Sequence, residues 1–363
     1  MKKYVYLILT ILLSLVLGVF YIDAFFSINY VISDFISFLI LFAFIVIGVF
    51  LATLTYDLGR LLFVKIAKFH IVAFKILNKK FYKKDGKFKV VNYPHRDYDN
   101  NIVVASEKNS VPYDIYFLGG IFTNLIFSII LTLTIIFLKI NEPTIELLLT
   151  TTGFIFTFNA LLNVLPLSFL YSDGYYYFNI LKDEVAANAF INHLNINDKL
   201  INGKPLEDLN FSIYKIDNLN NDYNDPLILE LKTLETYHYL FKFQFKEALD
   251  TIDYTFKKSN KMLSIYRKSF TNLKLICLLL NNNNDEALNL YLSLNNEHKK
   301  YVCKCKTIDD SLVSLITHVK IDKNEKAIEK DLASCNQFIE NTPFIGEKES
   351  IKALINLILT YKK

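Results

Sequence analysis

Four long stretches of this chain carry almost no polar side chain: residues 4–22, 32–64, 116–138 and 145–170. Each is long enough to cross a hydrocarbon core, which takes about 20 apolar residues in a helix. The second run exceeds one crossing, so its helix either tilts strongly or ends in a protein-lined, partly wet interior. After Lys182 the pattern becomes polar and helical. The expected division is a membrane part, residues 1–185, and a helical part, residues 186–363.

Between the second and third runs lies a polar stretch, 65–112, rich in lysine: Lys79, Lys80, Lys83, Lys84, Lys87 and Lys89. Within it two β-prone segments, 69–74 and 87–91, flank Asp85-Gly86. An Asp-Gly pair supplies the positive φ values that a tight hairpin turn requires. The pattern predicts a small amphipathic hairpin at the membrane face.

In the C-terminal part Glu247-Ala248-Leu249 recurs as Glu286-Ala287-Leu288 and, more weakly, as Lys326-Ala327-Ile328. The spacing is about 40 residues, and each motif follows a Leu- and Tyr-rich helical segment (231–240, 266–280, 311–319). Two readings stand side by side. One is an array of α-hairpins resembling tetratricopeptide stacking, capped by a final helix over 347–359. The other is an irregular helical bundle.

Composition refines this division. A chain of 363 residues allows about two or three domains. A net charge of +4 with no basic, aromatic-interleaved binding fold argues against nucleic acid. Cys277, Cys303, Cys305 and Cys335 all fall in the C-terminal half and read as cytosolic thiols. Cys303-Lys304-Cys305 lacks a second pair at ligand spacing, so it does not make a metal site.

Met1-Lys2-Lys3 precedes the first run, and Tyr21-Ile22-Asp23-Ala24 is a poor small-x-small cleavage site. A retained anchor is expected, with a cleaved signal as the alternative. Lys2, Lys3 and the 65–89 lysine cluster fall on one side of the membrane, whereas the loop after the first run has no Lys or Arg. The positive-inside rule then predicts a multi-pass cell-membrane protein with both termini in the cytoplasm.

Inside the second run stands Tyr56-Asp57-Leu58-Gly59-Arg60. A charge at a bilayer centre costs about 2.5–3.5 kcal/mol on insertion scales, so such a pair marks either a functional site or a buried ion pair. The third run opens with Gly119-Gly120 and carries Asn124. The fourth ends in Asn163-Val164-Leu165-Pro166, followed by Ser172-Asp173-Gly174.

Taken together, these segments resemble the site-2 protease family of intramembrane zinc metalloproteases over about residues 30–185. Family members carry H-E-x-x-H on one membrane helix, a G-G-x-x-x-N segment on the next and N-x-x-P…D-G on a later one. The matching positions are Leu58, Gly59, Gly119, Gly120, Asn124, Asn163, Pro166, Asp173 and Gly174. The branch most similar is bacterial, with a cytoplasmic hairpin after the first motif. The fold class implied is an all-α membrane protein with a small β-hairpin insertion: four transmembrane helices of site-2-protease type, followed by the cytosolic tetratricopeptide-like region.

The departure from the family lies at the metal. The resemblance implies zinc held by two histidines and the D-G aspartate, but here Tyr56 and Arg60 occupy the histidine positions and Asp57 that of the glutamate. A phenol is protonated at neutral pH, and a guanidinium has no lone pair to give. Only Asp173 survives as a ligand. No metal and no cofactor are expected, and Tyr56, Asp57, Arg60 and Asp173 are degenerate site positions rather than catalytic ones. Arg60 is expected to replace the cation, bridging Asp173 and Asp57 with its planar fork. The alternative is that the charges reach water at the cytoplasmic end of the helix.

Gly119, Gly120, Asn124, Asn163 and Pro166 are candidates for a cleft that holds a membrane peptide, as the resemblance implies. Equally, Pro166 ends the fourth helix. Three functions follow from this reading. The leading one is a non-catalytic membrane protein that binds a membrane peptide or transmembrane segment in the cleft and a cytosolic protein on its helical repeats. Its context would be peptide or bacteriocin processing, export, signalling or immunity. The second is an active peptidase in which Asp57 and Asp173 share a proton, against which stands the neighbouring guanidinium. The third is a helical-repeat scaffold that the spans merely tether.

Overall fold

The computed structural model describes residues 2–28, 35–76, 79–84, 87–92, 102–106, 113–138, 140, 142–167, 172–216, 223–303 and 307–362. Among them the chain is mostly helical, with one small sheet, and divides into two compact units. One comprises residues 1–70 and 111–183, the other residues 71–110 and 184–363.

The first unit holds four long helices: α1 (Lys2–Ser27), α2 (Phe35–Ile66), α3 (Tyr113–Leu138) and α4 (Pro143–Val164), with a short α5 (Asp173–Lys182). All four long helices are long and apolar enough to cross a membrane. Their outward faces are as apolar as their inward ones; Phe26 is 82% exposed and Phe35 73%. A helix apolar all round belongs to a protein core or a membrane span rather than to the surface of a water-soluble fold. Helices α2, α3 and α4 pack on one another, and α1 lies against α4 and α3.

Helix α2 is a single unbroken element of 32 residues, about 48 Å at the helical rise. Its last turns bury Tyr56, Gly59, Arg60 and Val64, so this end of the long run is lined by protein. Helix α4 stops at Val164, earlier than the apolar run suggests. Leu165 is extended at φ −69° and ψ 138°, because a residue that precedes proline is pushed out of the helical region. Residues 168–171 lie outside the described set.

The second unit begins with the sheet. Its strands are β1 (His70–Ile76), β2 (Lys79–Lys84), β3 (Lys87–Asn92) and β4 (Ile102–Ala105), in the order β3-β2-β1-β4. The partner of β3 across residues 85–86 is β2, with Lys84 opposite Lys87. The lysine content of β2 hid a strand that the hydrophobic pattern alone did not mark. The Asp85-Gly86 turn itself lies outside the described residues. Strand β4 is tied to α6 (Glu184–Ile201) by Ser106 N donating to Leu194 O (3.2 Å) and Asn197 Nδ2 to Val104 O (3.0 Å). The sheet therefore groups with helices far along the chain rather than with the spans that flank it in sequence.

Helix pairs follow: α7 (Pro226–Phe241) with α8 (Phe245–Lys258), α9 (Ser264–Leu280) with α10 (Asn284–Ser293), and α12 (Ile308–Thr317) with α13 (Glu325–Asn341). Short α11 (Asn296–Cys303) precedes α12. The leading helices α7, α9 and α12 stack in succession. Each pair turns on a left-handed residue: Phe243 (φ 59°), Asn282 (φ 60°) and Lys323 (φ 50°). In the first two turns the next amide reaches back five residues, Gln244 N to Tyr239 O and Asn283 N to Leu278 O, both 2.9 Å. That is the Schellman closure. The third turn is a π-helical segment, His318–Asp322, in which Asn324 N reaches His318 O, six residues back (3.3 Å). In all three pairs the second helix begins two residues past the left-handed residue, and the third motif starts one residue earlier within its helix than the other two. Ala248 and Ala287 of the repeated motifs are fully buried where the helices meet.

The final helix α14 (Ile345–Thr360) contacts α12 and α13 and also α6 and α7. Ser350 Oγ donates to Glu207 Oε1 (2.7 Å). It therefore closes back on the start of the array, not only on its last pair as a terminal cap would.

Candidate functional site

Tyr56 and Arg60 lie one turn apart on α2, and so present their side chains to the same side. The Tyr56 hydroxyl donates to Asp173 Oδ2, and Arg60 Nε stands 3.5 Å from that same oxygen. Arg60 Nη2 donates to the hydroxyl of Tyr116 on α3 (2.9 Å), and the guanidinium carbon sits 5.3 Å from the Tyr116 ring centre. Arg60 and Asp173 are 8% and 5% exposed. The Arg60 and Asp173 side chains are sequestered rather than water-facing.

The ion pair differs in detail from a planar fork. One guanidinium nitrogen faces the carboxylate beyond good hydrogen-bond distance, and Tyr116 takes another. Asp57 is half-buried on the same helix. Asp173 opens α5, so its carboxylate also sits at the favourable positive end of a helix dipole. Ser172 caps that helix, accepting from Tyr175 N (3.2 Å) and donating to Leu165 O (2.5 Å). The same hydroxyl accepts from Leu167 N (3.3 Å), so the chain on both sides of Pro166 is pinned to the start of α5, where Asp173 lies.

Gly119 and Gly120 make room for this cluster. A Cβ on Gly120 would stand 2.8 Å from Tyr56 ring carbons and 3.0 Å from Arg60 Cγ, and one on Gly119 would collide with Phe63. A Cβ on Gly174 would meet the backbone carbonyl of Val164. Leu58, between the site residues in sequence, points outward and is exposed.

Asn124 belongs to a second polar group. Its Nδ2 donates to Ala52 O (3.2 Å) and Asn159 Oδ1 (3.0 Å), and its Oδ1 accepts from Thr55 Oγ1 (2.8 Å). Asn163 Nδ2 donates to Asn159 O (2.9 Å) and Oδ1 (3.1 Å). Asn124 and Asn163 are thus joined through Asn159, while Pro166 lies exposed beyond the helix end. Tyr116 and Asn159 escaped the sequence reading. Their signal was helical spacing: Tyr116 lies four residues before Gly120, and Asn159 four before Asn163.

The donor set does not suit a metal. Of the three convergent side chains, only Asp173 offers a carboxylate oxygen as a ligand, and a guanidinium faces that oxygen. What the arrangement can do is bind α2, α3 and α5 together through charge and hydrogen bonds while leaving Asn163 half-buried near the end of α4. Comparison with protein-family models, curated proteins and solved structures finds no match for this chain.

Proposed function

We propose that this is a non-catalytic membrane protein of site-2-protease type, which holds a membrane peptide or transmembrane segment beside Asn163 and Pro166. A cytosolic protein would bind its tetratricopeptide-like helix pairs, with both termini in the cytoplasm. The observation that carries the reading is the sharing of one carboxylate by Tyr56 and Arg60. The two positions that would bear metal-binding histidines converge with the aspartate, but their side chains give hydrogen bonds and a fixed positive charge. Burial raises the pKa of the Asp173 carboxyl, and the fixed cation beside it works against that rise.

Two measurements test this reading. A photo-crosslinking amino acid at position 163 or 166, in cells, is expected to capture a small membrane peptide or a single-span protein, and capture of lipid alone would refute the cleft. Stoichiometric zinc in the purified protein, lost in Asp173→Ala, would refute the non-catalytic assignment. The regular stacking of α7, α9 and α12 favours a second reading, a tethered scaffold. It predicts that residues 184–363 on an unrelated membrane anchor retain the full cellular effect.

A further inference from the structure

One face of the sheet, buried at Val72 near the start of β1, becomes open across β2 and β3. Residues directly opposite each other across neighbouring strands share a face. Ala73, Tyr82 and Lys89 lie in register on one side, where Ala73 and Tyr82 are buried. Phe74, Phe81 and Val90 lie in register on the other, joined by Phe88 opposite Lys83. There Phe74 stacks on Phe81 with ring centres 4.8 Å apart and meets Phe88 edge-on at 6.1 Å. Phe88 is nevertheless 56% exposed and Val90 52%. Lys79 and Lys83 are exposed on that same face, and Lys87 and Lys89 are exposed on the edge strand β3. No carboxylate occurs in any of the four strands.

An aromatic cluster bordered by Lys79 and Lys83, with no acidic residue among the strands, has two requirements at once. It needs a partner that takes apolar rings and one that carries negative charge. An anionic lipid surface supplies both, since rings settle at the headgroup and acyl boundary while lysines stay among the phosphates. The covalent chain supplies the third argument. Residues 67–69 are all that separate the end of α2 at Ile66 from the start of β1 at His70, a reach of about 14 Å at full extension. Strand β1 therefore begins close to the end of a helix that is apolar and long enough to span.

We infer that the Phe74–Phe81–Phe88 face of the sheet docks on an anionic lipid surface, its rings at the acyl boundary and Lys79 and Lys83 against lipid phosphates. A second copy pairing through the β3 edge is disfavoured by the like charges it would bring together. The inference is independent of the metal-site reading and needs only that α2 spans.

The chain contains no tryptophan, so Phe88→Trp introduces a single reporter into the full-length protein. In nanodiscs of phosphatidylcholine mixed with phosphatidylglycerol, its emission is expected to shift to the blue and to be quenched by lipids brominated on the acyl chain. Quenching is expected to be weaker in pure phosphatidylcholine and to fall with added salt. Lys79→Gln with Lys83→Gln is expected to lower the docking equilibrium constant about 25-fold, at about fivefold per lysine. Leu292→Trp on α10, also exposed, is the unquenched control. Water-like, unquenched emission in both lipids would overturn the inference. Blue-shifted emission without lipid quenching would also do so, pointing to a protein partner, and so would equal quenching in both lipids. Val90→Trp, on the same face, repeats the test if the edge strand does not tolerate a ring exchange at 88.

Discussion

Removing one side of the Arg60–Asp173 pair tests whether the cluster is structural. Both groups are nearly inaccessible, so solvent does not rescue a charge left behind, and breaking such a pair from one side costs about 3–5 kcal/mol. Arg60→Met keeps most of the apolar stem and removes the charge. Asp173 then retains the Tyr56 hydroxyl and the α5 N-terminus, which places the expected loss near the lower end, about 3 kcal/mol. Asp173→Asn leaves an oxygen for Tyr56 and leaves the stranded guanidinium with Tyr116, for a loss of about 3 kcal/mol. The double variant removes both partners of the pair and is expected to lose only about 2–3 kcal/mol in all, a coupling of about 3 kcal/mol. The assay is reversible unfolding in mixed detergent micelles, followed by circular dichroism, for the parent and all three variants. Additive losses, with coupling below about 0.5 kcal/mol, would show that the charges do not sense one another and would refute the reasoning.

Further outcomes are expected elsewhere. Gly120→Ala pushes a methyl into Tyr56 and Arg60 and should cost about 1–3 kcal/mol in the same assay. Gly18→Ala, with nothing within 4 Å, should be neutral or slightly stabilising. His238 is buried with Nδ1 donating to Leu206 O (2.7 Å), and burial holds its pKa below the usual value. The unfolded chain therefore takes up a proton below about pH 6.5 that the folded chain resists, and stability falls as the solution is acidified through that range. His238→Asn should flatten that slope in denaturant titrations at stepped pH. Glu235, raised by burial, works in the opposite sense at more acid pH, so the readout is the difference between variant and parent. Phe243→Gly relieves a left-handed backbone and should raise the calorimetric midpoint, by about 0.5–1 kcal/mol in stability. Asn282→Gly should not, because its Oδ1 accepts from Lys320 (2.8 Å). Cys277, buried with its thiol pushed up to about 12, should resist alkylation until the protein is denatured.

The features legible in the sequence were those written in local pattern. The four apolar runs fix helices α1 to α4 because backbone polar groups in an apolar setting must be paired within the helix. The Glu-Ala-Leu recurrence located helix pairs because a small residue is needed where two helices touch, and Pro166 marked the end of α4 through its effect on Leu165. Less legible were features that depend on what lies opposite. Strand β2 is mostly lysine by composition, and only its register between β1 and β3 makes it a strand. Tyr116 looked like the start of a span until Arg60 was seen to reach it. Asn159 stood in an apolar run as one polar residue among several until it joined Asn124 to Asn163.

The sequence by itself determined which segments are apolar enough to span and that Tyr56 and Arg60 share one helix face. It also determined that those two side chains offer a metal no good ligand. Periodicity and side-chain chemistry are enough for each of these, because both are local. Tertiary structure alone decided that the Arg60 charge is buried against Asp173 rather than solvated, that Tyr116 accepts a hydrogen bond from it, and that α14 returns to α6 and α7. Those outcomes turn on distances between residues far apart in the chain, and a charge's energetic role is set by the groups around it, which sequence order does not specify.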